Sequence, residues 1–306
     1  MSQNFTLLVV SGDVYAEEVA VGSRREIEAG TRIDIFTAFK PHPKTRGEIP
    51  YIPATSWVGV LRHLLEKYYN LPAQSPRIRR GRDEVIIAPI HECQSYDEIL
   101  NCPVCRLLSR RDVVAWFDDL DPKGERYSVQ RGRRAGEYTV RNERNEIVAQ
   151  VVLKDEVVLP RDIDKIVISV DMAKKLKIET DKGLTGKELT EKGIRLEPIP
   201  REVQVVSGIF KLQAKFDMAK LTFDDLKPFF IGLSLLEDRY VGRRGSRGYG
   251  RIEFDDITLT LRGKDYYEGG NEISIQIDAK KPRDILGQWE QVKEIVNEKL
   301  KQIINQ

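Results

Sequence analysis

Three cysteines and one histidine supply the most concentrated chemistry in the chain. His91-Glu92-Cys93 is followed by Cys102-Pro103-Val104-Cys105, and the 306 residues contain no other cysteine. Two intervening residues let both sulfurs of the Cys-x-x-Cys pair face one ion, and His91 and Cys93, two apart at a strand end, can complete a tetrahedron. With four protein ligands the site is closed, which means structural rather than catalytic zinc. Metal binding on the order of 10 kcal/mol would then pin the segment after the first helix. Two other readings stay open: a buried cysteine group with an incidental histidine, and a redox pair, which lacks the preceding strand such pairs use.

A second cluster is Val241-Gly242-Arg243-Arg244-Gly245-Ser246-Arg247-Gly248-Tyr249-Gly250-Arg251. Four glycines allow close backbone approach and positive φ, so amides can face phosphate oxygens. Arg243, Arg244, Arg247 and Arg251 add planar guanidinium forks suited to phosphate, and Tyr249 offers a face for stacking. No acidic residue dilutes the window. It is not a Walker loop, because no Lys-Ser or Lys-Thr follows the glycines, and it follows a helix and enters a strand, unlike a dinucleotide fingerprint. The competing reading is a flexible basic loop.

Positioning these clusters requires strands and helices around them. Residues 5–21 alternate as a strand or hairpin, Ile33–Phe39 is a second extended piece, and prolines punctuate 41–53. A helix capped by Thr55 or Ser56 presents Trp57, Val60, Leu61, Leu64, Leu65 and Tyr68 on one face and ends at Asn70 and Pro72. Arg77–Arg82 reads as a basic turn before a strand at Val85–Ile90, and Asp112–Phe117 reads as another strand. Gly124–Glu146, with Arg131, Arg133 and Arg134, reads as a projecting hairpin. Ile166–Val170 is a strand and Lys182–Lys192 a surface excursion. A long strand at Val203–Phe216 leads to a helix at Phe223–Glu237, a strand at Arg251–Leu261 and an amphipathic helix at Asp284–Ile304. Strand–helix–strand occurs in each half, which suits an α+β sheet of the split βαβ type.

A hydrophobic share of 41% supplies a sizeable core and excludes global disorder. Fifty basic against 48 acidic side chains leave a net charge of +2, so no uniform basic coat advertises nucleic acid. The arginines instead concentrate at 77–82, 131–134 and 242–251. No apolar run approaches the roughly 20 residues of a membrane span, and no leader pattern opens the chain, so a cytoplasmic protein with no membrane partner is expected.

Taken together, the motifs resemble those of a known family. Tyr51-Ile52-Pro53-Ala54-Thr55-Ser56-Trp57-Val58-Gly59-Val60-Leu61-Arg62 is similar to the strand-to-helix motif IPGSSLKGxxR of the RAMP superfamily of CRISPR effector complexes, and 242–251 resembles that superfamily's glycine-rich loop, GxxxSRGYG. The resemblance covers roughly residues 5–262. Within the superfamily it is to the type III (Csm/Cmr-like) backbone subunit, which lines CRISPR RNA and cleaves the paired target RNA.

The resemblance implies a ferredoxin-like/RRM-type core over 1–262. Insertions would lie at about 71–111 (zinc-binding), 120–150 and 180–202 (thumb-like), and 263–306 would form a C-terminal extension with a helix. It implies Asp34 as the carboxylate of an Mg2+- or Mn2+-dependent endoribonuclease. It also implies RNA contacts from Arg62, Arg243, Arg244, Ser246, Arg247, Tyr249 and Arg251, and from the excursion arginines Arg131, Arg133 and Arg134. Guide RNA, target RNA and other type III subunits, neighbouring RAMP copies among them, are the implied partners. The chain departs from the pattern at Ala54-Thr55, at Val58 where a lysine is frequent, at Ile35-Phe36 after the aspartate, and in a longer spacing from Asp34 to Pro53. Those departures favour a non-catalytic backbone or capping subunit as the alternative. A third reading, a metal-independent guide-processing ribonuclease, would need His42 as its base.

Overall fold

A computed structural model describes residues 5–22, 33–35, 37–45, 47–72, 77–80, 83–86, 91–109, 113–158, 199–242, 245 and 248–304. In chain order, the first half runs β1 (Leu7–Val19), β2 (Ile33–Ile35), β3 (Phe39–Pro41), β4 (Glu48–Pro50), α1 (Ala54–Tyr68), β5 (Arg77–Arg80), β6 (Asp83–Ile86), α2 (Tyr96–Asn101) and α3 (Cys105–Leu108). Next come β7 (Ala115–Phe117), β8 (Asp121–Pro122), β9 (Ser128–Arg131), β10 (Tyr138–Arg141), β11 (Ile147–Val158) and β12 (Ile199–Asp217). A 3-10 turn at Phe223–Leu226 leads into α4 (Lys227–Glu237), β13 (Arg251–Arg262), α5 (Lys264–Tyr267), β14 (Ile273–Ile275), α6 (Pro282–Gly287) and α7 (Trp289–Ile304).

The main sheet is ordered β14-β13-β1-β12-β11-β10-β9. β12 is its spine. Along one edge it pairs antiparallel with β1, from Leu7↔Asp217 to Val19↔Val206. Its other edge meets β11, β8 and β7 in succession. β2 runs parallel to β12 at Glu202 and Val203, taking up the edge where β1 leaves it.

Alternation along the strands decides which face is buried. Val206, Phe210, Leu212, Ala214 and Phe216 of β12 share one hydrophobic cluster with Trp57, Leu61 and Leu65 of α1 and Phe229, Phe230 and Leu233 of α4. Ile285, Trp289, Val292 and Val296 of the last two helices join the same cluster, so segment 264–304 packs on the common core. Trp57, Phe117, Phe216 and Phe229 contact one another edge-on or tilted, with centroids 5.1–6.0 Å apart. Trp57, Phe216 and Phe229 are fully buried, each stabilising by roughly 1.5–3 kcal/mol relative to exposure, while Phe117 is half-buried.

Several local expectations are corrected. α1 starts at Ala54, without a Thr55 or Ser56 cap. Its free Ala54 N–H donates instead to Asp119 Oδ1 at 2.8 Å, a cap reached from a remote loop that helical spacing does not reveal. Residues 5–21 hold one long strand rather than a hairpin, because β1 has long partners on both sides. The arginines at 77–80 lie on a strand paired with β6, which spans Asp83–Ile86. The excursion within 124–146 is continuous with the main sheet through β11, because Val140 and Tyr138 pair with Ala149 and Val151. Helix 223–237 begins with a 3-10 turn, and the C-terminal helix is split before Trp289. Ile166–Val170 and Lys182–Lys192 lie outside the described residues.

Candidate metal centre and nucleic-acid interface

α1 and the segment after it build the candidate metal centre. His91, Cys93, Cys102 and Cys105 are all buried, and their ligand atoms lie within 4.8 Å of one another. Zn–S bonds near 2.3 Å form a tetrahedron with edges of about 3.8 Å, so this cluster contracts onto an ion with little movement. The capping box of Ser95 and Glu98 starts α2, whose end delivers Cys102, and α3 begins at Cys105. Cys105 N–H donates to Cys102 Sγ at 3.3 Å, as amides of a Cys-x-x-Cys knuckle do for a charged sulfur.

His91 Nδ1–H donates to the Pro72 carbonyl at 3.1 Å, which leaves Nε2 facing Cys93 Sγ at 3.2 Å and Cys102 Sγ at 3.5 Å. A ligating histidine needs this tautomer, with its other nitrogen anchored. Hydrogen bonding from the Cys105 thiol, with further help from the amides of Cys105 and Val104, pulls the Cys102 thiol down to about 4. The Cys105 thiol, donating to Cys102, is raised, and burial followed by the neighbouring Cys102 charge raises Cys93. Binding a cation would release the thiol protons of the ligating cysteines. Soft sulfur and imidazole donors fit a metal such as zinc.

A second group of candidates converges at the end of the sheet where β1 stops. Glu18, at φ 51°, accepts from Gly250 N–H at 3.1 Å and donates its own N–H to Ser207 Oγ at 2.8 Å. Gly242 and Gly250 have φ near +92° and +93°. A Cβ at Gly250 would lie 2.2 Å from the Val241 carbonyl oxygen, and one at Gly242 2.5 Å from that of Ala20. The two glycines thus close the loop against β1, where no other residue fits.

Between them, Tyr249 is partly buried against Ala20, Val203 and Val205, on the sheet face opposite the main core. Val203 is also the register partner of Ile35, so the loop packs one position from the strand carrying Asp34. Thr37 N–H donates to Gln204 Oε1 at 3.0 Å, while Gln204 Nε2 donates to the Gly136 carbonyl at 2.8 Å. Gln204 thereby ties the exit of β2 to the tip of the β9–β10 hairpin. Sequence patterns did not single it out, because a glutamine in a strand carries no motif.

The remaining candidates are placed as follows. Arg251 is exposed at the start of β13, and Arg131 and Arg133 are exposed on the hairpin. Arg134 is exposed as well, and its Nη2 pairs with Glu202 at 2.7 Å and Asp155 at 3.2 Å. Arg62 is largely buried, with its guanidinium on Glu66 and on the carbonyls of His91 and Leu108. The side chain of Asp34, and all of Arg243, Arg244, Ser246 and Arg247, lie outside the described residues. His42 lies in the loop between β3 and β4, where its Nδ1 accepts from Lys44 N–H at 3.3 Å and its ring packs edge-on against Tyr127.

Among the described residues, no helix is long and apolar enough to cross a membrane. Curated relatives include the Methanocaldococcus jannaschii protein named CRISPR system Cms endoribonuclease Csm3, 36% identical over 134 residues, or 42% of this chain and 49% of that one. The match thus spans about half the length of that relative. The protein of the same name from Mycobacterium tuberculosis is 22% identical over 209 residues, 68% of this chain and 71% of that one. Two solved structures align over most of the chain. One is the Csm3–Csm4 subcomplex of the type III-A CRISPR-Cas interference complex, with TM-score 0.43, 17% identity, and 94% of this chain and 97% of that one covered. The other is the type III-B Cmr-beta complex bound to cognate target RNA, with TM-score 0.45, 15% identity, and 84% and 61% covered. The RAMP superfamily model matches residues 12–253, from the middle of β1 into β13 and across both the metal segment and the glycine loop, and the chain belongs to that superfamily.

Proposed function

We propose that this chain is an RNA-binding subunit of a type III CRISPR interference complex, built on a ferredoxin-like core, that holds guide RNA and cleaves the paired target. The observation that carries this reading is the convergence at one end of the sheet. The anchored glycine loop, the strand bearing Asp34 and the arginine hairpin meet there from three distant parts of the chain. Backbone amides of a glycine loop and exposed arginines make salt-dependent contacts to a phosphate chain without reading sequence. Such contacts suit a subunit that must accept any guide. The endoribonuclease name of the curated relatives supports the cleavage step.

Asp34 is the proposed catalytic carboxylate, and Mg2+ or Mn2+ when bound would supply Lewis-acid stabilisation of the phosphate. The His/Cys centre is proposed as a structural zinc site that fastens segment 91–108 to α1. Other type III subunits and neighbouring copies are the proposed protein partners.

The test is reconstitution with guide and complementary RNA. Asp34→Ala is expected to lower target cleavage by at least about two orders of magnitude while guide and target stay bound. Undiminished cleavage would overturn the catalytic assignment. The non-catalytic backbone or capping reading is favoured by one observation, the replacement of the family's lysine by Val58 and of its post-aspartate residues by Ile35-Phe36. It expects bound RNA and no cleavage in either protein.

A further inference from the structure

We propose that Arg62 and Glu66 are the outer shell of the metal centre and preset His91 as a ligand by holding both ends of its backbone. This rests on the metal reading above and gives Arg62 a role other than RNA contact. The two residues sit one helical turn apart on α1, and Arg62 Nε donates to Glu66 Oε1 at 2.9 Å. An exposed pair at this spacing is worth only about 0.3–0.5 kcal/mol, but this one is buried, with side-chain exposures of 13% and 7%.

A buried ion pair needs its remaining hydrogen-bonding capacity filled to be tolerated, and here the metal segment fills it. Glu66 Oε1 also accepts from His91 N–H at 3.1 Å. Arg62 Nη2 donates to the His91 carbonyl, and Nη1 to the Leu108 carbonyl at 2.9 Å. Every guanidinium nitrogen therefore has an internal acceptor.

These contacts grip the segment at both ends. His91 is its first ligand, and Leu108 ends α3, three residues beyond Cys105, the last ligand. With its N–H, its carbonyl and Nδ1 all fastened, His91 has little freedom left except to aim Nε2 at the sulfurs. Outer-shell partners that orient a ligating histidine typically change metal affinity about 10- to 100-fold when removed. Lysine does not replace this arginine, because one ammonium cannot reach the planar set of acceptors.

The test uses the full chain loaded with zinc, and competition with a colorimetric chelator gives the affinity. Cobalt(II) substitution reports ligand geometry through its visible d–d and thiolate charge-transfer bands. Arg62→Lys and Glu66→Gln are expected to weaken zinc binding about 10- to 100-fold and to shift the cobalt bands. The double variant is expected to lose little more than either single, since the pair acts as a unit. Guide-RNA affinity is expected to stay within about twofold of the parent, with circular dichroism confirming that the variants fold. Zinc affinity and cobalt bands equal to the parent's would overturn the outer-shell assignment, as would a loss of guide RNA at unchanged zinc affinity. A parent chain showing no thiolate–cobalt bands would overturn the metal reading itself, a result distinct from either.

Discussion

Charged and sulfur-bearing side chains fasten segment 91–108 to α1, whereas backbone atoms fasten the glycine loop to the end of β1. In the first region, His91, three cysteines, Arg62 and Glu66 each contribute a specific functional group. In the second, the Gly250 N–H, the Glu18 carbonyl and two left-handed glycines do the holding. The difference teaches where each region tolerates change. A side-chain anchor fails when one donor is deleted, while a backbone anchor fails only when a Cβ intrudes or the conformation is forbidden.

The largest expected effect breaks the first region. Cys102→Ser removes the sulfur with the most stabilised thiolate, and zinc stoichiometry by native mass spectrometry should fall to near zero. The unfolding free energy should drop by several kcal/mol, within the order of 10 kcal/mol that structural zinc supplies. Full zinc occupancy in this variant would show that the sulfur is not a ligand.

A smaller effect is expected at the loop. Gly250→Ala forces a Cβ against the Val241 carbonyl at positive φ and should cost about 1–3 kcal/mol in chemical denaturation, with weaker RNA binding. Gly248 is also left-handed but has open space around it, so Gly248→Ala should cost less. Equal costs at the two positions would remove the distinction between closing glycines and a permissive loop interior.

Both regions were legible in unequal measure. The candidate metal ligands stand out because His and Cys are scarce and their spacing carries the geometry, and the glycine loop stands out because its composition is extreme. Helix 54–68 and strand 203–216 followed from periodicity. What stayed hidden depends on contacts between distant residues. Asp119 capping α1 is one such case, and Gln204 linking β2 to the hairpin is another, since both join segments that no local pattern relates. Arg62 shows the opposite case: a basic residue ending a nucleic-acid motif points to phosphate in the sequence, while in the fold an i,i+4 glutamate and two carbonyls hold its guanidinium.

The smallest effect concerns neither anchor and so serves as their reference. Asp224 accepts from Lys293 and from Trp289 Nε1, the latter at 3.0 Å, and clips α7 to the turn before α4. The Lys293 ammonium, and then the Trp289 N–H, hold the Asp224 carboxyl below the usual aspartate value. A carboxyl depressed in the folded state contributes stability above its unfolded value, near pH 4, and loses it as pH falls through the depressed value. Protection of the amides across 289–296, taken relative to their intrinsic exchange at each pH, should therefore fall on acidification below about pH 4, and Asp224→Asn should remove that dependence. An unchanged pH profile in Asp224→Asn would show that other carboxylates control the helix.

The placement of β1 between β12 and β13 also sets a timetable for the growing chain. Glu18 and its partner Ser207 are 189 positions apart, and β13 emerges later still. At about 5–20 residues per second, the apolar run Leu7-Leu8-Val9-Val10 waits roughly 10–40 s after leaving the ribosome before its first neighbour exists. An unpaired apolar strand can join the wrong chain during such a delay. Slowing synthesis between β11 and β12 should therefore lower the soluble yield of this protein more than an equal pause after β13.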